Sequence, residues 1–261
     1  MTTPPRLPGR MQETVQQHQP EGVPPLELTG ERTLPDVPAE NYWFRRHLAV
    51  YEWIAERCAG LEVVDMACGE GYGTDVLARR ARRVTGVDAN PDAHEHARAR
   101  YSRPGVRFVR DLIETYVEPC DAVVFLQTIE HVKEPEKVLA HFKAMAPRAY
   151  VSTPNLLTLA PPGAEKSDNP WHVKEYRAEE FRQLCEAHFP EVEIFGLFHA
   201  RKLRAHELAI KLGWDTVHKR LGLTRLFYDR FTPAIAASDF CLRQAGLDRA
   251  LDFVAVCRSG E

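Results

Sequence analysis

The stretch Glu62-Val63-Val64-Asp65-Met66-Ala67-Cys68-Gly69-Glu70-Gly71-Tyr72-Gly73-Thr74 limits the fold more than any other part of the chain. A short apolar run ends on an acidic residue and passes through a glycine-rich turn. It then enters a segment with Val76, Leu77 and Ala81 at helical spacing. Glycine has no Cβ, so Gly69 and Gly71 let the main chain bend tightly and let a ligand come close to it. A turn between strand and helix also aims free backbone N–H groups at whatever binds there. The same turn also suits a plain strand-to-helix connection, so the flanking chain has to decide between the two.

That flanking chain repeats the strand-then-helix pattern. Arg83–Asp88 reads as a second strand ending on an acid, followed by Asn90 as a helix cap and Pro91 in the first helical turn. Val106–Asp111 is a third strand that closes on an aspartate. Asp121–Leu126 is the continuous apolar run of a buried parallel strand. A helix opens at Pro135 and runs to Met145, and Ala149–Thr153 makes a fifth strand before Pro154. A helix from Tyr176, a strand Val192–Phe198 and a final strand Leu251–Cys257 complete the pattern. Alternation of this kind predicts an α/β, Rossmann-like, seven-stranded doubly wound sheet. Residues 200–248 show helical periodicity with no strand of their own, and so read as a C-terminal helical insertion before the last strand.

Composition narrows the class. A chain of 261 residues with 44% hydrophobic and 27% charged residues is globular in character, and its net charge of −3 gives no overall attraction to polyanions. No run reaches the roughly 18 apolar residues that span a bilayer. The first 25 residues lack an apolar signal core, which makes the cytoplasm the expected compartment. The six cysteines are scattered with no C-x-x-C pair, so neither a disulfide framework nor a zinc knuckle is indicated. Residues 1–28, rich in proline and glutamine, read as a disordered tail, and residues 29–258 as the folded domain.

Three successive strands end at Asp65, Asp88 and Asp111. In an open α/β sheet, ligands sit beyond the carboxyl ends of the strands. An acid ending the second strand suits ribose hydroxyls, and one ending the third suits an exocyclic amine. A dinucleotide site wants G-x-G-x-x-G with a phosphate at the helix start. Gly69, Gly71 and Gly73 are instead spaced G-x-G-x-G behind the carboxylate of Asp65. A carboxylate there repels a pyrophosphate and suits a ligand carrying a sulfonium and an ammonium, which is S-adenosylmethionine.

In these motifs the chain resembles the seven-stranded class I S-adenosylmethionine-dependent methyltransferases. The resemblance covers most of residues 40–200 and the final strand. It implies that Asp65, Ala67, Gly69 and Gly71 line the amino-acid end of the cofactor. Asp88, with its neighbour Ala89, would hold the ribose, and Asp111 and Leu112 would flank the adenine. Gln127, after the fourth strand, is expected beside the cofactor as well. Ala67 stands where such sequences most often carry glycine.

A second constellation follows the fourth and fifth strands: Gln127-Thr128-Ile129-Glu130-His131, then Ser152-Thr153-Pro154-Asn155, then Asn169-Pro170-Trp171-His172. In a helical turn Gln127, Glu130 and His131 share one face. A glutamate and two histidines converging at this edge suit Mg²⁺ or Mn²⁺, which would acidify an acceptor hydroxyl. His131 acting as a general base without metal is the alternative. The pattern is similar to that of quinone-precursor O-methyltransferases and of small-RNA 3′-terminal ribose 2′-O-methyltransferases. That similarity implies Glu130, His131 and His172 as metal ligands, with Gln127 standing where the RNA enzymes carry a further glutamate.

Residues 200–231 hold eight lysines and arginines against three acids, interleaved with Trp214, Phe227, Tyr228 and Phe231. They read either as a lid over an anionic or carbohydrate acceptor or as an amphipathic helical pair with a solvated basic face. The Gly30–Pro35 and Glu40–Phe44 stretches are similar to methyltransferases of bacterial polysaccharide and glycolipid assembly. Together these features point to O-methylation of a hydroxyl on a saccharide, polysaccharide or glycosylated metabolite. An RNA terminus and a non-catalytic cofactor-binding regulator are the alternatives.

Overall fold

Short β-branched runs set between amphipathic stretches build one mixed sheet. The computed structural model describes residues 16, 19–28 and 32–260. Among these, eight strands pair in the order β3-β2-β1-β4-β5-β8-β6-β7. The strands are β1 (Glu62–Met66), β2 (Arg83–Asp88), β3 (Val106–Arg110), β4 (Ala122–Leu126), β5 (Arg148–Pro154), β6 (Glu191–His199), β7 (Phe240–Arg243) and β8 (Asp252–Arg258). The pairings among the first five are parallel, whereas β8 runs antiparallel between β5 and β6. The helices are α1 (Asn41–Arg57), α2 (Tyr72–Leu77), α3 (Pro91–Arg100), α4 (Pro135–Met145), α5 (Leu156–Leu159), α6 (Ala178–Glu186), α7 (Arg201–Lys211), α8 (Trp214–Arg220) and α9 (Thr224–Phe231). Among the described residues, no helix is long and apolar enough to cross a membrane.

The central strand β4 is apolar and buried at every position because both faces of the sheet are covered. Along β4, Val123 and Phe125 join one buried cluster with Phe142 of α4 and Phe181 of α6. Ala122, Val124 and Leu126 point the other way, into a cluster with Tyr51 and Ile54 of α1 and Leu77 of α2. This period of two is what a strand imposes on successive side chains. α3 starts where the sequence says it should: the side chain of Asn90 accepts from the N–H groups of Asp92 and Ala93, with Pro91 in the first turn.

Two expectations need correction. The segment after β6 is not purely helical, since Phe240–Arg243 forms β7 and pairs antiparallel with β6. Four residues are too few for alternation to stand out, yet Phe240 is buried and its ring packs edge-on against Tyr42, with centroids 5.6 Å apart. The described part of residues 1–28 is also packed rather than free. The Gln16 amide donates to the Pro35 carbonyl (3.2 Å) and to Glu70 (3.0 Å), and Val23 and Leu26 are buried. Residues 1–15, 17, 18 and 29–31 lie outside the described residues. The remaining tail expectation and the Gly30-Glu31 part of one motif fall there.

α1 is fastened across the far side of the sheet by a buried ion pair. Arg46 grips Asp252, at the start of β8, with Nε at 2.6 Å and Nη2 at 2.5 Å from the two carboxylate oxygens. Its Nη2 also donates to the Leu251 carbonyl at 2.8 Å. Both side chains are buried, and removing one partner from such a pair leaves an uncompensated charge that costs about 3–5 kcal/mol. Arg46→Met should therefore lower the unfolding free energy by about that amount in urea titrations, and Arg46→Met with Asp252→Leu should recover part of the loss.

Candidate active site

The glycine turn lies beyond the carboxyl end of β1 and is held by three carboxylates. Asp88, at the end of β2, accepts from the Gly69 N–H (2.8 Å) and the Asn90 N–H (2.9 Å). Glu70 is turned inward and buried, taking the Tyr101 hydroxyl (2.7 Å), His96 Nε2 (2.9 Å) and the Tyr72 N–H (3.1 Å). Asp65 is fully buried beneath the turn and accepts from the hydroxyls of Thr74 (2.7 Å) and Tyr51 (3.2 Å). Burial pushes its carboxyl up to about 7, against the hydrogen bonds from Thr74 and Tyr51. Sequence reasoning missed Glu70, although an acid between two glycines was its visible signal.

Each glycine in the turn has its own reason to be there. Gly69 sits at φ +56° with open space where a Cβ would lie, as a close-approaching ligand requires. Gly71 is at φ +97° against Ala97 of α3. Gly73 serves packing: a Cβ there would lie 2.1–2.5 Å from ring atoms of Tyr51. Ala67 takes φ +57°, a left-handed conformation that costs an L-residue roughly 1–2 kcal/mol. It therefore keeps the turn that glycine makes elsewhere, at a cost in strain.

The other expected cofactor residues line the same edge. Asp88 and Ala89 follow β2, and Asp111 and Leu112 follow β3, which pairs with β2 in register at Asp88 and Arg110. Asp111 accepts from the Leu112 N–H (2.8 Å) and the Thr115 hydroxyl (2.5 Å), while Leu112 is 54% exposed. Asp65 departs from the expected arrangement, because its oxygens brace the turn from inside rather than facing outward. Gln127 departs too. At φ +51° its backbone N–H and its amide both donate to the Ser152 hydroxyl, each at 3.0 Å.

Glu130, His131 and His172 do converge, with one ligand atom from each lying within 4.8 Å of the others. Glu130 and His131 ride on a short 3₁₀ turn, Ile129–His131, after β4. The backbone of Val173 donates to the Glu130 carbonyl at 2.7 Å, which draws the His172 loop against that turn. His131 Nδ1 faces the Trp171 carbonyl (2.9 Å), and His172 Nδ1 faces the buried Glu175 carboxylate (2.7 Å). Each Nδ1 must carry a proton to donate to these acceptors, which leaves Nε2 as the other polar atom of each ring. That of His172 is taken by the Asn169 amide at 2.9 Å. The Glu130 Oε2 is buried with no hydrogen-bond partner, and burial raises this carboxyl to about 8. An orphaned buried oxygen facing two imidazoles is a donor set that suits a cation.

The aromatic residues of the insertion are used internally. Phe227 and Phe231 stack with His206, at centroid distances of 5.6 and 4.6 Å, and Trp214 meets His218 edge-on at 5.6 Å.

Residues 39–208 match the model of a methyltransferase domain family. A probable S-adenosylmethionine-dependent methyltransferase of Mycolicibacterium smegmatis is 38% identical over 248 residues, spanning 88% of this chain and 94% of the relative. The chain belongs to the S-adenosylmethionine-dependent methyltransferases. A Mycobacterium tuberculosis protein of the same description is 37% identical over 244 residues, covering 87% of this chain and 86% of its own length. The ubiquinone biosynthesis O-methyltransferase of Xylella fastidiosa is 30% identical over 115 residues, only 40% of this chain and 47% of that enzyme. Among solved structures, an S-adenosylmethionine-dependent methyltransferase of Thermotoga maritima superposes with a TM-score of 0.56 at 17% identity, covering 84% of this chain and 93% of that one. That likeness shows the fold. The protein is thus a methyltransferase enzyme whose cofactor is S-adenosylmethionine, and the open glycine turn fits that group.

Three outcomes test this account of the turn. Ala67→Gly should stabilise the protein by about 1 kcal/mol through relief of the left-handed alanine. Gly73→Ala should destabilise it by about 1–3 kcal/mol through collision with Tyr51, with both variants read by urea unfolding. A raised carboxyl binds its proton more tightly when folded, so its contribution is present in acid and is lost as pH rises from about 4 to about 7. The stability difference between wild type and Asp65→Asn should accordingly shift in favour of the variant between about pH 5 and about pH 8.

Proposed function

We propose that the enzyme methylates a hydroxyl oxygen on a saccharide or glycosylated metabolite. Glu130, His131 and His172 prepare that hydroxyl, with Mg²⁺ or Mn²⁺ as their partner. The observation that carries this reading is the convergence of these three residues around the unpartnered Glu130 oxygen, at the sheet edge that also carries the glycine turn. The Xylella relative named above is an O-methyltransferase, and the matched region is consistent with oxygen as the acceptor atom. The indole of Trp171 is 52% exposed and stands one residue before His172, offering a flat apolar face to the C–H side of a sugar ring.

The cofactor supplies an electrophilic methyl group held on a sulfonium. Asp88, Gly69 and the Asp111-Leu112 pair form its cradle. A divalent cation, when bound, supplies positive charge that makes a nearby hydroxyl more acidic. Glu175 fixes the ring of His172 through Nδ1, the usual arrangement behind a metal-binding histidine, and a cation at Nε2 would displace the Asn169 amide. The Trp171 carbonyl orients His131 through Nδ1 in the same way; with a cation bound His131 is one of its ligands, and without one its ring is the base that takes the hydroxyl proton. Orientation of the acceptor by these groups provides much of the rate, since a displacement depends on alignment. Gln127 offers a neutral amide oxygen, a weaker ligand than the glutamate of the RNA enzymes, which counts against the RNA-terminus reading.

The test is methyl transfer from labelled S-adenosylmethionine to a panel of free and oligomeric sugars, with and without Mn²⁺. His131→Ala should lower kcat by about 100-fold or more while leaving the affinity for S-adenosylhomocysteine unchanged. Glu130→Gln and His172→Ala should abolish Mn²⁺ binding in calorimetric titrations. Wild-type protein that binds no Mn²⁺ yet transfers methyl groups would leave His131 as a metal-free base. Transfer to nitrogen alone would overturn the hydroxyl reading.

A further inference from the structure

A cleft of about 750 Å³ opens between α7 and the ends of β6, β7 and β8, outside the candidate active site. Arg201, Arg204, Lys211, Arg243 and Arg249 line it, and Glu207 is the only acid among its lining residues. Phe198, Ala205 and Leu251 give it an apolar floor. In a chain of net charge −3, five cations around one cleft form a strongly local positive field.

Most of that charge is uncommitted. Glu207 already pairs with Lys211 (3.1 Å) and faces His199 Nδ1 (3.4 Å), which leaves it little to offer the arginines. Arg243 lies over the Phe198 ring, 3.9 Å from its centroid. Arg201, Arg204 and Arg249 make no ion pair with any described residue, whereas the neighbouring Lys202 turns aside to Asp239 at 3.1 Å. Arg201 also holds φ +44°, a left-handed conformation for a residue with a side chain. It begins α7, whose first turn has no side-chain cap and so adds free N–H groups to the same field.

The cleft lies on the same edge of the sheet as the candidate active site. Leu251 forms part of its wall, and the Leu251 carbonyl accepts from the Asn155 N–H (3.1 Å) just after β5 and from Arg46 (2.8 Å). Its next residue, Asp252, pairs with Pro154 at the end of β5, the strand that borders β4 and its Glu130-His131 turn.

We infer that this cleft binds an anionic group, a phosphate or a carboxylate, carried by the methyl acceptor. Its guanidinium groups recognise the planar or tetrahedral oxyanion, and the apolar floor takes the adjoining carbon skeleton. The inference rests on the reading above that a hydroxyl is delivered to His131, and it narrows the acceptor to a charged one.

The test titrates the full chain by calorimetry with sodium pyrophosphate and, separately, with sodium malonate at matched ionic strength. S-adenosylhomocysteine is titrated in parallel. Wild-type protein should bind at least one of the two anions with a submillimolar Kd. Arg201→Glu with Arg204→Glu should weaken that binding at least ten-fold, and Arg249→Gln should weaken it less. S-adenosylhomocysteine affinity should stay within two-fold in every variant, which also reports that each variant is folded. Preference for pyrophosphate marks a phosphate group on the acceptor, and preference for malonate marks a carboxylate. Cofactor binding with no anion binding, or anion binding untouched by the double substitution, overturns the cleft assignment. Absence of S-adenosylhomocysteine binding would instead strike at the methyltransferase reading and leave the anion result to stand by itself.

Discussion

One turn of main chain, Ala67–Gly71, is held from three directions by carboxylates, and the rest of the catalytic edge is built around it. Asp65 supports it from within the sheet through Thr74 and Tyr51. Asp88 reaches across from the neighbouring strand to the Gly69 N–H. Glu70, buried, ties it to His96 and Tyr101 around α3, and to Gln16 of the N-terminal segment. A turn with left-handed residues at 67, 69 and 71 would otherwise be an ensemble of conformers. Fixing it in advance means that a ligand does not have to supply the ordering free energy when it binds.

The same economy of placement governs the opposite end of the edge. Both histidines are oriented through Nδ1 by acceptors from the 165–176 loop, while Glu130 is left with an oxygen that no side chain satisfies. Natural proteins seldom leave a buried carboxylate oxygen unpaired, because its desolvation is costly. The proposed cation would be the partner of that oxygen.

What could be read from the sequence follows from how local each feature is. β2 begins and ends at Arg83 and Asp88 as expected, since charged residues close its short buried run on both sides. The convergence of Glu130, His131 and His172 was visible as spacing and as a resemblance. The roles of Asp65 and Gln127 were not visible, because a side chain's direction depends on partners far along the chain, here Tyr51 and Ser152. β7 escaped notice because its four residues alternate too briefly, and the packing of Gln16 because polar, proline-rich segments carry no periodicity to betray a docked state. The basic cleft draws its charges from α7, β7 and the turn at Arg249, and only the folded chain brings these together.

The position of β8 governs the order of assembly. The last strand of the chain lies inside the sheet, between β5 and β6, rather than at its margin. During synthesis β6 and β7 can pair as a hairpin, but that hairpin has no strand to dock against until residues 252–258 have left the ribosome. Asp252, the counter-charge for Arg46, arrives at the same moment. A nascent chain can therefore form the glycine turn before β8 emerges, whereas the β5–β8–β6 part of the sheet closes only once β8 is present.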